Sequence, residues 1–134
     1  LITAPELPAT TLAVSCYENM FNGCKSLVNA QSILPATDLT TYCYISMFAG
    51  CTSLTIAPEL PATTLADSCY YYMFKGCTKL NYIKMLATDI SAGNCLDTWV
   101  NRVSSTGTFV KHPAMTSLPT GASGIPSGWT VQNA

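Results

Sequence analysis

The chain has 134 residues, of which 49% are hydrophobic and 10% are charged, and its formal net charge is −1. This length suits one domain with a core, and disordered chains are instead charge-rich and apolar-poor. The few basic residues form no cluster, so the charges give no support for nucleic-acid binding. No apolar run reaches the roughly 20 residues that span a bilayer. The sequence therefore predicts a folded domain with a hydroxyl-rich surface, which suits an extracellular protein.

Three near-identical copies of one pattern fill the N-terminal part of the chain. Each copy contains a Leu-Pro-Ala-Thr step, then Cys-Tyr, Met-Phe and Gly-Cys pairs, and then a leucine. The Cys-Tyr pairs begin at Cys16, Cys43 and Cys69, so the period is 27 and then 26 residues. A degenerate fourth copy keeps Cys95 and has Trp99 in place of the methionine. A period of about 20–29 residues is typical of leucine-rich repeats, in which each repeat buries its apolar face against the next.

Three local structures are predicted within a repeat. The segment Ser26–Ile33 is expected to be a strand of a parallel sheet. The Leu-Pro step is expected to be extended, because proline fixes φ and restricts the preceding residue. The stretch from about Thr11 to Asn22 is expected to form a short helix with a one-sided apolar stripe, and Gly23 follows where helices often end.

The repeat also resembles the BspA-like leucine-rich repeats of surface proteins from gut and oral bacteria. The residues that carry the resemblance are Met20-Phe21, Cys24, Leu27 and Leu34-Pro35. This chain departs from the family in its methionine, its Cys-Tyr pair and its longer coil. Over roughly residues 1–100, the resemblance implies an α/β solenoid, that is, a leucine-rich-repeat right-handed superhelix with a short parallel β-sheet, short helices opposite and a C-terminal cap.

The composition shifts to Gly, Pro, Ser and Thr after the repeats, so we predict two parts, 1–103 and 104–134. Strands are expected at Thr108–Lys111 and Trp129–Gln132. The last repeat of a stack needs a cap over its apolar end, and a flexible linker is the alternative for this segment. The apolar residues expected to plug the end are Trp99, Phe109, Ile125 and Trp129. The segment also looks like a terminal segment of similar Bacteroides proteins.

The seven cysteines fall into two columns, eight residues apart within a repeat. They lack metal-ligand spacing. Buried thiols that act as small hydrophobic residues are favoured over disulfides, although an exported protein and the short distance between stacked repeats would permit bridges.

No catalytic set can be identified, and we predict that the protein is not an enzyme and needs neither a cofactor nor a metal. His112 is the single histidine, beside Pro113 in a polar segment. Nothing in the spacing joins it to a cysteine, a serine or an orienting carboxylate. No pair of carboxylates has glycosidase or calcium-loop spacing.

Two groups of residues are candidates for ligand binding. Tyr71 and Tyr72 lack equivalents in other repeats and are expected to be exposed, where aromatic rings can anchor a protein or a sugar. If Leu27 and Ala30 point inward, a second group of residues on the strand points outward. Its members are Asn29, Gln31, Ile56, Tyr82 and Lys84. Ordinary packing of the tyrosines and plain solvent exposure of the strand face are the alternative interpretations.

The function expected from the resemblance is non-catalytic binding or adhesion by a secreted or cell-surface bacterial protein. The partner would be a host protein, a matrix component or a surface glycan, and any membrane contact would come through an anchor outside these residues. This expectation is an analogy at the level of the fold. A structural spacer within a larger surface protein is the first alternative, and a glycan-processing or peptidase enzyme is the second.

Overall fold

The computed structural model describes residues 1–134, and its regular secondary structure is one parallel sheet. The strands are β1 (Tyr82–Met85), β2 (Thr108–Lys111) and β3 (Thr130–Asn133), in the order β1-β2-β3. Tyr82 pairs with Thr108, and Thr108 pairs with Thr130. The strand predicted at Thr108–Lys111 is confirmed, and the other C-terminal strand lies one residue later than predicted.

The predicted α/β leucine-rich-repeat solenoid is wrong. The chain contains no helix, and its sheet of three short strands does not extend into a superhelix. The stretch Thr11–Asn22, expected to be helical, consists mainly of turns. Its backbone has positive φ angles at Ser15 and Asn19, and an α-helix requires negative φ at every position. The leucine-rich-repeat fold that the resemblance implied is therefore not the fold of this chain.

Each repeat instead contains a run of overlapping β-turns, which we call a turn run. The four turn runs span residues 13–24, 40–51, 66–77 and 92–103. In the first run, Cys16 N donates to Ala13 O across Ser15, and Glu18 N then donates to Ser15 O. The two bonds close turns of different types, because a residue with positive φ occupies the third position of the first turn only. A residue with positive φ then recurs every fourth position, at Asn19 and Gly23.

The amides that do not close turns join one turn run to the next. Tyr17 N donates to Cys43 O at 3.0 Å, and Tyr44 N donates to Cys69 O at 3.1 Å. Five such bonds join the first run to the second, and the second and third runs each donate five more to their successors. Half of the amides are thus satisfied locally and half by the neighbouring repeat, as buried backbone requires.

Equivalent side chains of successive repeats lie on top of one another. The rings of Tyr17 and Tyr44 stack with centroids 5.9 Å apart, and those of Tyr44 and Tyr70 are 6.0 Å apart. A second column contains Phe21, Phe48 and Phe74. The leucines Leu27, Leu54 and Leu80 have no exposed surface and belong to one hydrophobic core.

The strand predicted at Ser26–Ile33 is reduced to isolated bridges. Asn29 bridges Thr3, and Ile33 bridges Glu59. A proline interrupts the ladder of backbone hydrogen bonds between Ile56 and Leu60, because Pro58 has no amide to donate. The sequence separation of bridged residues also changes there, since Ile56 bridges Tyr82 whereas Leu60 bridges Met85. Strand β1 contains no proline, so its ladder with β2 is continuous.

The C-terminal segment packs against the fourth repeat. Trp99 Nε1 donates to Gly124 O at 2.9 Å, and Trp129 Nε1 donates to Ser104 O at 2.7 Å. Phe109 contacts Trp99 edge-to-face, with ring centroids 6.2 Å apart. The four predicted plug residues are all buried in the core that the repeats share.

Candidate functional site

An open groove lies beside β1 and β2 and includes two of the predicted binding residues. Its volume is about 400 Å³. The side chains at Ile56 and Tyr82 are neighbours across a parallel bridge, and Ile56 is 58% exposed although it is a large aliphatic residue. The remaining lining residues are Asn81, Thr106, Gly107 and Thr108.

The groove depends on a glycine at position 107. A Cβ atom there would lie 2.6 Å from Asn81 O and 2.6 Å from the Trp129 ring. Only glycine therefore fits without displacing backbone. This close approach lets Thr108 N donate to Asn81 O at 2.9 Å and Thr130 N donate to Gly107 O at 2.9 Å. The wall of the groove is consequently held by backbone bonds on both sides.

The groove is lined by neutral residues: one tyrosine, one isoleucine, one asparagine, two threonines and one glycine. Lys84 lies farther along β1, where its Nζ is 3.5 Å from Glu59 Oε1. Both side chains of this pair are about one-third exposed, so the pair adds little stability, but each charge neutralises the other. The local chemistry therefore favours an uncharged ligand that offers C–H surface and hydrogen-bonding groups.

The other predicted strand residues have different surroundings. Asn29 is exposed, and its Nδ2 donates to Thr3 Oγ1 at 3.4 Å. The prediction that Gln31 points outward is wrong, because this side chain is 2% exposed and its Nε2 donates to Pro5 O at 2.9 Å. Asn29 and Gln31 would share one face of a regular strand. They do not do so here, because this part of the repeat forms isolated bridges rather than a strand.

Tyr71 and Tyr72 lie in the third turn run and do not line the groove. Their rings are 3.9 Å apart between centroids and inclined by 43°. Lys75 Nζ lies 4.5 Å from the centre of the Tyr72 ring, within range of a cation–π interaction. The interaction with Tyr72 raises the pKa of Tyr71 to about 12. Both side chains are half-buried rather than fully exposed.

All seven cysteines are free thiols. Cys51 Sγ donates to Phe21 O at 3.1 Å, and Cys77 Sγ donates to Phe48 O at 3.0 Å. Burial raises the pKa of both Cys43 and Cys51 to about 11. A thiol with a raised pKa is a poor nucleophile at neutral pH, so the buried thiols act as packing groups, and Cys51 and Cys77 also donate to the preceding repeat.

The remaining polar groups take part in local structure. His112 Nδ1 accepts a hydrogen bond from Ala114 N at 3.0 Å. Asp89 Oδ1 accepts from Ser91 N at 3.0 Å and from Ser91 Oγ at 2.6 Å, and these bonds lower the pKa of Asp89. The structure contains no cluster of three or more His, Cys, Asp and Glu side chains able to hold a metal ion. A membrane-crossing helix is likewise not found among its elements.

The sequence predictions missed four lining residues of the groove. Counting one further period of 26 residues from Tyr82 gives Thr108, which is its partner in the sheet. The repeat period could therefore have predicted Thr108 as a neighbour of Tyr82. The motif itself ends before this position. The need for glycine at position 107 could not be predicted from the period, because it depends on the approach of Trp129 to the backbone there.

No family model, no curated protein and no solved structure matches this chain.

Proposed function

We propose that this protein is a non-catalytic binding or adhesion module of a secreted or surface-anchored bacterial protein. Its partner is a host protein, a matrix component or a glycan, and the groove at Ile56 and Tyr82 is the binding site. The observation that carries the proposal is an exposed aliphatic side chain next to an aromatic ring, in a neutral groove of about 400 Å³.

The groove has the composition of sites that bind neutral ligands. An apolar surface with a few polar groups fixes the orientation of a ligand, and a tyrosine ring offers both a flat apolar face and a hydroxyl group. Asn81 supplies an amide, and Thr106 and Thr108 supply hydroxyls. These groups match the C–H faces and hydroxyls of a sugar or the peptide groups of an extended chain.

The stacked repeats provide a rigid support for this groove. Tyr82 and Thr108 belong to β1 and β2, which pair over four residues. Sites on strands are held more accurately than sites on loops, so little ordering of the wall is needed when a ligand binds.

The test is an array of glycans and matrix proteins probed with the 134-residue chain. Tyr82→Ala and Ile56→Ala should each weaken binding to any ligand found by about tenfold or more, as loss of a central anchor does. Tyr42→Ala is the matched control, because Tyr42 is an exposed tyrosine outside the groove.

Thermal unfolding of each variant checks that the fold is retained. Absence of binding across the array would favour a spacer role and contradict the proposal. Binding that Tyr82→Ala and Ile56→Ala leave unchanged would place the site elsewhere.

A further inference from the structure

The first turn run has an unpaired side. In the later runs, alternate carbonyl groups accept amides from the preceding repeat, as Cys43 O and Cys69 O do. The equivalent carbonyls of the first run accept no hydrogen bond from the protein. These five groups belong to Val14, Cys16, Glu18, Met20 and Asn22.

The side chains on the same surface are apolar and exposed. Met20 is 45% exposed, whereas its equivalents Met47 and Met73 have no exposed surface. Val14 is 64% exposed, and Cys16 is exposed although the equivalent Cys43 is buried. The surface thus combines a row of acceptors with the same apolar columns that the later repeats bury. We call it the first-repeat face.

We infer that the first-repeat face is an interaction surface for one further repeat of the same sequence pattern, stacked in parallel register. Such a repeat would present five amides to the five free carbonyls, as the first run does to the second. It would also supply a tyrosine to continue the column that now ends at Tyr17. This inference does not depend on the proposed groove.

A second copy of this chain does not have the required complement. Its amide-presenting side is the fourth turn run, where Val100 N already donates to Ala122 O and Thr98 N donates to Ser123 Oγ. The C-terminal segment therefore occupies two of the five amides on that side, so a second copy cannot present all five. Two first-repeat faces placed together would oppose carbonyl to carbonyl, which forms no hydrogen bonds. The five carbonyls therefore require a partner that presents unpaired backbone amides, and a further repeat has such amides.

The experiment adds a copy of residues 54–79 directly before Leu1, which continues the leucine register. In the added copy, the positions of Cys69 and Cys77 carry alanine so that they do not react. A scrambled segment of identical composition is the matched control. Alkylation of Cys16 by a maleimide is followed by peptide mapping, together with thermal unfolding and the mass in solution.

The expected result is a monomer in which alkylation of Cys16 slows by about tenfold or more, because reaction then requires local opening. The melting temperature should rise above that of the scrambled control, since stability in repeat proteins includes a term for each interface between neighbours. Unchanged Cys16 reactivity in the fusion would overturn the inference. Dimerisation of the original chain with protection of Cys16 would also overturn it, in favour of a second copy.

Discussion

At the scale of single residues, the repeated side chains act through identical contacts in successive repeats. Each inward leucine is fully buried, and each ring in the tyrosine column stacks on the next. Cys51 and Cys77 each donate a thiol hydrogen bond to the preceding repeat. The residues that recur in each repeat are therefore those whose side chains contact the neighbouring repeat.

Leu54→Ala tests the buried leucine column at its centre. Removing this side chain should lower the free energy of unfolding by about 2–5 kcal/mol, since a cavity remains in the core. Val28→Ala is the control, because Val28 is 42% exposed and surface changes cost within about 0.5 kcal/mol. Urea unfolding measures both variants, and equal midpoints for the two would contradict the packing described for Leu54.

At the scale of the element, the turn run replaces the helix that the apolar spacing predicted. Positive φ angles recur every fourth residue, and most of these positions hold Ser, Asn, Tyr, Thr or Arg rather than glycine. Such conformations cost roughly 1–2 kcal/mol for a residue with a Cβ atom. Inter-repeat hydrogen bonds and ring stacking stabilise them here. An isolated repeat lacks both and is not expected to keep this conformation.

Gly76→Ala tests the conformation of the turn run. Gly76 has a φ of 79°, and an added Cβ would lie 3.7 Å from the backbone of Gly50, which is an ordinary contact. The cost should therefore come from backbone strain and be roughly 1–2 kcal/mol. Gly93→Ala is the control, since its φ is not positive and its Cβ would lie 3.8 Å from Asp67 Oδ1. A Gly76→Ala protein as stable as the Gly93→Ala protein in thermal unfolding would show that the turn is not strained.

At the scale of the whole molecule, one hydrophobic core runs from Ala4 in the first repeat to Trp129 in the C-terminal segment. The core includes five cysteines with little or no exposed surface. Burial raises the pKa of these thiols and of Tyr44 and Tyr70. The folded state thus contains many groups that resist ionisation, and together they link stability to alkaline pH.

Stability is expected to decline above about pH 9. An unfolded thiol ionises near 9.0, whereas Cys43 and Cys51 in the folded chain ionise near 11. The contribution of these thiols to the free energy of unfolding is therefore fully present below pH 9. It is lost as the pH rises from 9 to 11, at about 1.4 kcal/mol per pH unit for each thiol. Urea unfolding under reducing conditions at pH 7.5 to 10.5 measures this slope. The slope should be smaller for Cys51→Ala than for Cys16→Ala, which removes an exposed thiol. A stability independent of pH over this range would contradict the buried, protonated thiols.

The amino-acid pattern alone was enough to predict the period and the burial of each repeat's apolar face against the next, because recurrence at a fixed spacing follows directly from repeat-to-repeat packing. The sequence also located β2 and the plug residues Phe109 and Trp129, whose apolar character stands out in a polar segment. The backbone of the turn run, the burial of Gln31 and the groove at Gly107 became evident only from the folded chain. A one-sided apolar stripe fits either a helix or alternating turns. The hydrogen bonds that select the turns run between repeats, from Tyr17 N to Cys43 O for example, and they exist only once the repeats have stacked.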